Sequence, residues 1–195
     1  MRIAINGFGR IGRQVLKAGL RQRGFTVVAV NDLAGIDSLS YLLKYDSVYG
    51  EWDEKIEVGE GYLKVGRRKI KVFSQKDPSK LPWKELKVDI VIESTGVFRT
   101  QKQASAHLKA GAKQVIISAP AKDDSQTVVM GANVSDVSKQ KPEIVSNASC
   151  TTNATAPVMV ALESLGIAKA MLTTIHGYTA SQSLVDGPNK DPRRG

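Results

Sequence analysis

The chain has 195 residues, of which 42% are hydrophobic and 24% charged, a composition typical of one full globular domain and part of a second. No apolar run approaches membrane-spanning length, and the first residues lead into a glycine loop, so we expect neither a membrane span nor a leader. The single cysteine, Cys150, cannot form a disulfide within the chain, which fits a reducing compartment, and a cytoplasmic protein is predicted.

The net charge of +9, from 28 basic and 19 acidic residues, is compatible with an anionic partner such as nucleic acid. Five basic residues fall close together: Lys64, Arg67, Arg68, Lys69 and Lys71. They alternate with apolar residues, a pattern typical of the solvated face of a β-hairpin with Gly66 near its turn. We interpret the cluster as such a face and keep nucleic-acid binding as the least favoured alternative. A phosphate-bearing ligand would also favour a positive field.

The first elements predict a strand, a glycine loop and a helix. Residues 2–6 are the strand, and Ile11, Val15, Gly19 and Leu20 then recur at helical spacing. A β-branched run at residues 26–30 ends in Asn31 and predicts a second strand. Because βαβ crossovers are right-handed, the two strands should be parallel.

Residues 38–44 predict a short helix, and residues 52–73 predict antiparallel strands inserted on the core sheet. The apolar run at residues 88–93 predicts a buried strand that ends at Ser94, Thr95 and Gly96. Ligand contacts are expected at such strand ends.

Thr100 and Gln103 form a capping-box pattern that predicts a helix over residues 101–110, with His107 on its surface. Further strands are predicted at residues 115–118, 128–130 and 144–145. The fold class is therefore α/β, a Rossmann-type doubly wound and mostly parallel sheet. The excess of basic residues lies almost wholly before residue 148. We expect a first domain at 1–148 and the start of an α+β second domain at 149–195.

Three glycines between the first strand and helix match a dinucleotide-binding fingerprint. Gly7 would permit the tight turn, Gly9 would let backbone approach a pyrophosphate, and Gly12 would allow close helix packing. Asp32 follows about 20 residues after Gly12, where a carboxylate binds the adenosine ribose and repels a 2′-phosphate. The pattern favours NAD over NADP, the alternatives being a plain turn at the glycines and a loop carboxylate at Asp32.

Cys150 is predicted at the amino end of a helix that continues through residues 154–165 with an irregularity at Pro157. The helix dipole and a nearby imidazole would stabilise a thiolate, and the chain from Cys150 to His176 leaves room for one helix and one returning strand. His176 is thus a candidate base for a Cys150 nucleophile that attacks a carbonyl. A buried structural cysteine and a core histidine remain the alternatives. No metal ligand set is predicted.

Residues 146–153, SNASCTTN, resemble the active-site signature of the phosphorylating glyceraldehyde-3-phosphate dehydrogenases. The resemblance extends over the whole chain, through INGFGRIG at 5–12, ESTG at 93–96, ISAP at 117–120 and His176 with Tyr178, Thr179 and Ala180. It implies a glycolytic oxidoreductase that uses NAD, glyceraldehyde 3-phosphate and inorganic phosphate through a cysteine thioester, in a cytoplasmic homotetramer.

The resemblance also implies roles for individual residues. The catalytic pair would be Cys150 and His176, and the phosphate sites would contain Ser149, Thr151 and Thr179. The cofactor-binding residues would be Asn6, Gly7, Gly9, Arg10, Ile11, Gly12, Asp32, Lys76, Thr95, Gly96 and Ser118. Simple backbone capping remains the alternative for Thr151 and Thr179.

The chain ends at Gly195, whereas chains of this family continue well beyond that point. We therefore expect the 195-residue species to be inactive or nearly so by itself, since catalysis depends on the whole constellation of groups. Erythrose-4-phosphate dehydrogenase, which hydrolyses the thioester, and a non-catalytic NAD-binding module are the two other interpretations.

Overall fold

The computed structural model describes residues 1–177, and ten strands and five α-helices lie within that range. The strands are β1 Arg2–Asn6, β2 Thr26–Asn31, β3 Tyr45–Asp46, β4 Gly50–Glu51, β5 Ile56–Gly59, β6 Tyr62–Val65, β7 Arg68–Phe73, β8 Ile90–Glu93, β9 Gln114–Ile117 and β10 Ile144–Ser146. The helices are α1 Arg10–Leu20, α2 Ile36–Lys44, α3 Gln101–Lys109, α4 Val134–Gln140 and α5 Cys150–Leu162, with short 3-10 turns at Pro78–Lys80 and Glu163–Leu165.

Eight of these strands form one sheet in the order β10-β9-β8-β1-β2-β7-β6-β5. The pairs from β10 across to β7 are parallel, and the two pairs β7·β6 and β6·β5 are antiparallel. The order reverses between β1 and β8, as it does at the centre of a doubly wound dinucleotide-binding sheet. The predicted Rossmann-type α/β class is confirmed.

The strands predicted as an insertion belong to this main sheet, so that prediction was wrong. β7 pairs in parallel with β2, with Ala29 opposite Lys71 and Asn31 opposite Phe73, and β6 and β5 extend the sheet from β7. The predicted alternation is confirmed, because Leu63, Val65 and Ile70 are buried while the basic cluster faces outward. Gly66, at a φ of 56°, lies in the β6–β7 turn.

Residues 128–130 do not form a strand, contrary to the sequence prediction. The sheet contact there is a single bridge between Thr127 and Ser146. The Asn133 side chain accepts from the Val129 N–H at 2.8 Å and donates to the Thr127 carbonyl at 2.9 Å, which turns the chain into α4. Helix α4 has no buried side chain and only two apolar residues, Val134 and Val137, too few for a periodic pattern.

Helix α1 packs on the sheet through three of the four predicted positions, since Gly19 is buried and Val15 and Leu20 pack against the core. The other buried residues are Gly12, Arg13 and Leu16, whereas Ile11 is 53% exposed, contrary to the prediction. Two glycines allow the close packing of this face. A Cβ on Gly12 would lie 2.2 Å from the Gly7 carbonyl oxygen, and one on Gly19 would overlap the Phe25 ring.

Two apolar clusters cover the two faces of the sheet, as the alternation of side chains along a buried strand requires. Ile3 and Ile5 of β1 point to the face that carries Leu16 of α1 and Leu39 of α2. Ala4 points to the opposite face, which carries Ala104 of α3 and, from the loop before β8, Trp83. The central strands are thus buried on both sides.

His107 is fully buried, at 0% exposure, and its prediction as a surface residue was wrong. The capping box is confirmed, with both the Thr100 and Gln103 side chains in place. Helix α3 turns His107 and Ala104 toward the sheet, and Trp83 and Glu93 provide hydrogen-bonding partners for the imidazole. A buried polar ring is tolerated where such partners exist.

The chain divides into two compact units, Met1–Val160 and Ala161–Gly195. Within the second unit, residues 163–165 form the short turn, and residues 166–177 have no further helix or strand. Among the described residues, no helix has both the length and the apolar character that crossing a membrane would need.

Candidate cofactor pocket and thiol site

The glycine loop between β1 and α1 has the geometry that its three glycines were predicted to permit. Gly7 adopts a φ of 90°, and a Cβ there would lie 2.5 Å from the Thr95 backbone nitrogen. Gly12 lies against the Gly7 carbonyl, whereas a Cβ on Gly9 would meet nothing within 4 Å. The loop therefore packs tightly at its two ends and is open at Gly9, where a pyrophosphate could approach the backbone.

The amino end of α1 adjoins this open face. Gly9 is the N-cap residue and provides no side-chain cap, and the first turn of α1 has no acidic residue. The exposed N–H groups and the helix dipole at such an end favour an anion. This arrangement fits the pyrophosphate of a dinucleotide.

A cavity of about 600 Å³ lies at the carboxyl ends of the central strands. Its size is within the usual range for cofactor sites. All of its lining residues fall between positions 6 and 98: Asn6, Gly7, Gly9, Asn31, Asp32, Leu33, Gln75, Lys76, Ser94, Thr95, Val97 and Phe98.

Six of the predicted cofactor residues line this cavity, namely Asn6, Gly7, Gly9, Asp32, Lys76 and Thr95. Five do not: Arg10, Ile11, Gly12, Gly96 and Ser118. Sequence reasoning expected ligand contacts at the strand end that contains Ser94 without giving this residue a role, and it missed Asn31, Leu33, Gln75, Val97 and Phe98. Asn31 and Ser94 could have been found as the polar residues that end or follow β2 and β8, while the others depend on loop conformation.

Asp32 is held in place at the end of β2 by two backbone N–H groups. The Phe8 N–H donates to Oδ2 at 2.7 Å and the Ala34 N–H donates to Oδ1 at 3.0 Å. Each carboxylate oxygen keeps a further lone pair. The partly buried carboxylate can therefore accept hydrogen bonds from a ribose that enters the cavity.

Arg10, which was predicted to bind the cofactor, directs its guanidinium to Asp46 at 3.0 Å. The backbone N–H groups of Val48 and Tyr49, together with this guanidinium, lower the pKa of Asp46 to about 2. The ion pair ties the amino end of α1 to the β3–β4 hairpin.

Beneath the cavity, the Glu93 carboxylate lies only 1% exposed at the end of β8. It accepts hydrogen bonds from Asn6 at 2.6 Å and from the Thr95 N–H at 2.9 Å. His107 lies 3.0 Å from the same carboxylate, and the Trp83 indole donates to His107 at 3.0 Å. Sequence reasoning assigned none of these contacts, because they join residues from four separate parts of the chain.

The thiol segment, residues 147–153, follows β10 and opens α5. Cys150 is exposed and is the first residue of the helix, as predicted. The Ser149 Oγ accepts from the Thr152 N–H at 3.0 Å and so caps the helix. The Asn153 side chain donates to the carbonyls of Asn147 at 2.7 Å and Ser149 at 3.0 Å, which fixes the segment that leads to the thiol.

Hydroxyl groups cluster beside Cys150. The Ser149 Oγ lies 2.9 Å from the Thr151 Oγ1 and 2.8 Å from the Thr152 Oγ1. These hydroxyls can donate to an anionic oxygen. The two described residues of the predicted phosphate sites, Ser149 and Thr151, therefore lie together.

His176 belongs to the second compact unit, where it is exposed and its Nδ1 lies 2.5 Å from the Gly177 carbonyl. Thr179 lies outside the described residues. The pairing of Cys150 with His176 and the role of Thr179 stay predictions.

Two family models match the chain. Residues 1–101 match "Glyceraldehyde 3-phosphate dehydrogenase, NAD binding domain", and residues 149–195 match the C-terminal domain of the same family. The domain boundary at 148 stays a prediction.

The chain is similar along its whole length to curated glyceraldehyde-3-phosphate dehydrogenases. It is 53% identical to the protein of Thermotoga maritima over 99% of this chain and 59% of the relative. It is 49% identical to that of Geobacillus stearothermophilus over 100% of this chain and 58% of the relative. The chain thus spans somewhat under two thirds of the length of these relatives. With the doubly wound fold and the open glycine loop, these matches show that the chain belongs to the glyceraldehyde-3-phosphate dehydrogenase family and that NAD is its cofactor.

Proposed function

We propose that this chain carries the NAD site and the nucleophile of a glycolytic enzyme that converts glyceraldehyde 3-phosphate and inorganic phosphate to 1,3-bisphosphoglycerate. The observation that carries the proposal is the exposed Cys150 at the start of α5, with the Ser149 and Thr151 hydroxyls beside it. A nucleophile next to groups that can bind phosphate is what a phosphorylating aldehyde oxidation requires.

The Cys150 sulfur performs the covalent steps. As a thiolate it attacks the aldehyde carbon, and a hemithioacetal forms. Loss of hydride from that carbon leaves a thioester on Cys150, which inorganic phosphate attacks to release the acyl phosphate and return the thiolate. The amino end of α5 favours the thiolate in both its attack and its departure.

His176 is proposed as the base of this reaction. It would take the proton from the thiol, return it to the aldehyde oxygen as the hemithioacetal forms, and take it again from that hydroxyl as hydride leaves. Ser149 and Thr151 would orient the attacking phosphate, and Thr179 would bind the phosphate of the substrate. Exclusion of water from the thioester would direct it to phosphorolysis rather than hydrolysis.

Bound NAD supplies the hydride acceptor. The open backbone at Gly9 and the amino end of α1, including Arg10 and Ile11, would hold its pyrophosphate, with Gly12 supporting the loop. Asp32 would accept from the adenosine ribose. The remaining residues are placed along the dinucleotide by family resemblance, with Lys76, Thr95 and Gly96 toward the adenine and Ser118 toward the nicotinamide.

Domain organisation and assembly are part of the same proposal. Residues 1–148 would form the NAD-binding domain and residues 149–195 the start of the catalytic domain, in a cytoplasmic homotetramer. Exposed apolar side chains on α2 and the β3–β4 hairpin favour self-association, notably Tyr41 at 64%, Val48 at 72% and Tyr49 at 71% exposure. Light scattering coupled to size exclusion measures the subunit number.

The test is an absorbance assay for NADH with glyceraldehyde 3-phosphate, run with and without inorganic phosphate. The protein assayed is a chain of the relatives' length that contains residues 1–195, with its intact mass verified. We expect NADH formation that depends on phosphate. The same assay on residues 1–195 alone tests the expectation that this species turns over little or not at all.

Two other results would redirect the proposal. Faster turnover of erythrose 4-phosphate without phosphate would favour the hydrolysing dehydrogenase. If NAD binds but alkylation of Cys150 by iodoacetamide accelerates only near pH 8.5, the value typical of an ordinary thiol, the non-catalytic module would be favoured.

A further inference from the structure

A buried carboxylate and a buried imidazole, which the proposed reaction does not use, lie directly beneath the NAD cavity. Glu93 is 1% exposed and His107 is 0% exposed. The register places Glu93 of β8 beside Asn6 of β1, and Asn6 beside Asn31 of β2. The order of the sheet reverses between β1 and β8, the position at which doubly wound sheets bind their ligands.

The first chain of hydrogen bonds to Glu93 starts at the indole of Trp83. An indole N–H can only donate, so the His107 Nδ1, at 3.0 Å, must accept and carries no proton. The neutral ring then holds its proton on Nε2, which donates to the Glu93 Oε2 at 3.0 Å.

The second chain starts at the backbone N–H of Gln75. It donates to the Asn31 Oδ1 at 2.8 Å, which turns the Asn31 Nδ2 toward the Asn6 Oδ1 at 2.7 Å. The Asn6 Nδ2 therefore faces the Glu93 Oε2 and donates to it at 2.6 Å. The backbone donor at one end and the carboxylate acceptor at the other together set the orientation of both amides.

Thr95 provides the third set of donors. Its backbone N–H donates to the Glu93 Oε1 at 2.9 Å, and its hydroxyl donates to the same oxygen while accepting from the Val97 N–H at 3.1 Å. All of the described hydrogen bonds at Glu93 thus point toward it. Such a position suits an ionised carboxylate, which only accepts.

We propose that Glu93 is a positioning residue for the dinucleotide, because its carboxylate orients Asn6 and Thr95 on the wall of the NAD cavity. Asn6, Asn31, Gln75 and Thr95 all line that cavity. Trp83 and His107 hold the carboxylate from the core side. The proposal rests on NAD as the cofactor of the proposed function, but it is tested by NAD binding alone, so its failure would leave the reaction untouched.

The sharpest test compares Glu93→Gln with Glu93→Gln/Trp83→Phe. In Glu93→Gln, the N–H groups of the new amide face the neighbouring groups that donate to the carboxylate in the wild type, so donors face donors. Removal of the Trp83 indole lets His107 move its proton to Nδ1 and accept from the new amide through Nε2, although the Asn6 Nδ2 still faces that amide. The second substitution should therefore restore part of the NAD binding while it lowers the melting temperature further, because it also empties core volume.

The NAD dissociation constant is measured by titration calorimetry and the melting temperature by scanning calorimetry, on the 195-residue chain. Controls are Trp83→Phe alone and Glu143→Gln, the same change at an exposed position ahead of β10. We expect Glu93→Gln to raise the dissociation constant roughly tenfold, about 1.4 kcal/mol, and the double variant to recover part of that loss.

A dissociation constant for Glu93→Gln within about twofold of wild type, less than about 0.5 kcal/mol, would overturn the proposal. A double variant that binds NAD no better than Glu93→Gln would also overturn it. In that case the two substitutions would be separate structural defects whose effects add. Absence of NAD binding by the wild-type chain would instead count against the proposed function.

If Glu93→Gln does not fold, the proposal is tested at Thr95, the exposed residue of the network. Thr95→Val removes the hydroxyl that donates to Glu93, and Thr95→Ser keeps it. We expect Thr95→Val to bind NAD roughly fivefold more weakly than Thr95→Ser does. Equal dissociation constants for the two variants would overturn the proposal.

Discussion

The NAD cavity and the thiol segment hold their functional groups in contrasting ways. The cavity wall is fixed from below by a buried carboxylate and by glycines packed against backbone. The thiol segment instead presents Cys150 at an exposed helix end, with hydroxyls and one asparagine holding the backbone. A dinucleotide site can thus be supported by polar groups buried in the core, whereas a nucleophile must remain accessible.

Loss of the thiol should reduce turnover strongly without changing NAD affinity, which separates the two regions. In a preparation that shows phosphate-dependent turnover, Cys150→Ser should lower turnover by on the order of a thousandfold or more, because the weaker hydroxyl nucleophile replaces the thiolate. NAD affinity should stay within about twofold of wild type, since the sulfur does not line the cavity. Stopped-flow assay and calorimetric titration measure the two quantities, and a parallel loss of NAD affinity would contradict the separation.

The glycine loop gives the next effect through a matched pair. Gly12→Ala places a Cβ 2.2 Å from the Gly7 carbonyl oxygen, so it should destabilise the fold by about 3 kcal/mol. Gly9→Ala meets nothing within 4 Å and should leave the free energy of unfolding unchanged while it weakens NAD binding. Urea unfolding and NAD titration of both variants are the measurements. Equal stability losses would show that the loop does not pack as described.

His107 should be important to stability, unlike a surface residue. His107→Leu keeps an apolar volume but leaves the Trp83 indole without its acceptor and Glu93 without one donor. We expect a loss of about 2 kcal/mol in the free energy of unfolding. The control is Lys102→Leu, at an exposed position on the same helix. Equal, small changes in the two variants would contradict the buried placement of His107.

The smallest effect concerns acid stability at the amino end of α1. Because the folded-state pKa of Asp46 is about 2, below its ordinary value of 3.8, its contribution is present above pH 4 and is lost as the pH falls toward 2. Asp46→Asn should flatten this part of the pH profile of the unfolding free energy. The exposed Asp124→Asn is the control. If the unfolding free energy of Asp46→Asn falls with pH as steeply as that of the wild type, Asp46 does not make this contribution.

Much of the fold follows from local patterns that the sequence states directly. The β1, β2, β8 and β9 runs are apolar and β-branched, the Thr100 capping box starts α3, and the glycines of the first loop and Asp32 are placed by spacing. Such signals are predictable because their physical causes act within about 10 residues along the chain. Cys150 at the start of α5 belongs to the same class.

Other features depended on the tertiary structure. The parallel pairing of β7 with β2 joined an apparent insertion to the main sheet, and Gly12 rather than Ile11 is the residue of the first turn of α1 that packs inward. The burial of His107 depends on Trp83, Glu93 and Asn6, which are brought together only when β1, β8 and α3 assemble. The sequence by itself determined which segments form strands, helices and glycine turns, because local sterics and apolar periodicity suffice for that. The tertiary structure decided which polar groups meet in the core, because hydrogen bonds between distant residues leave no local pattern.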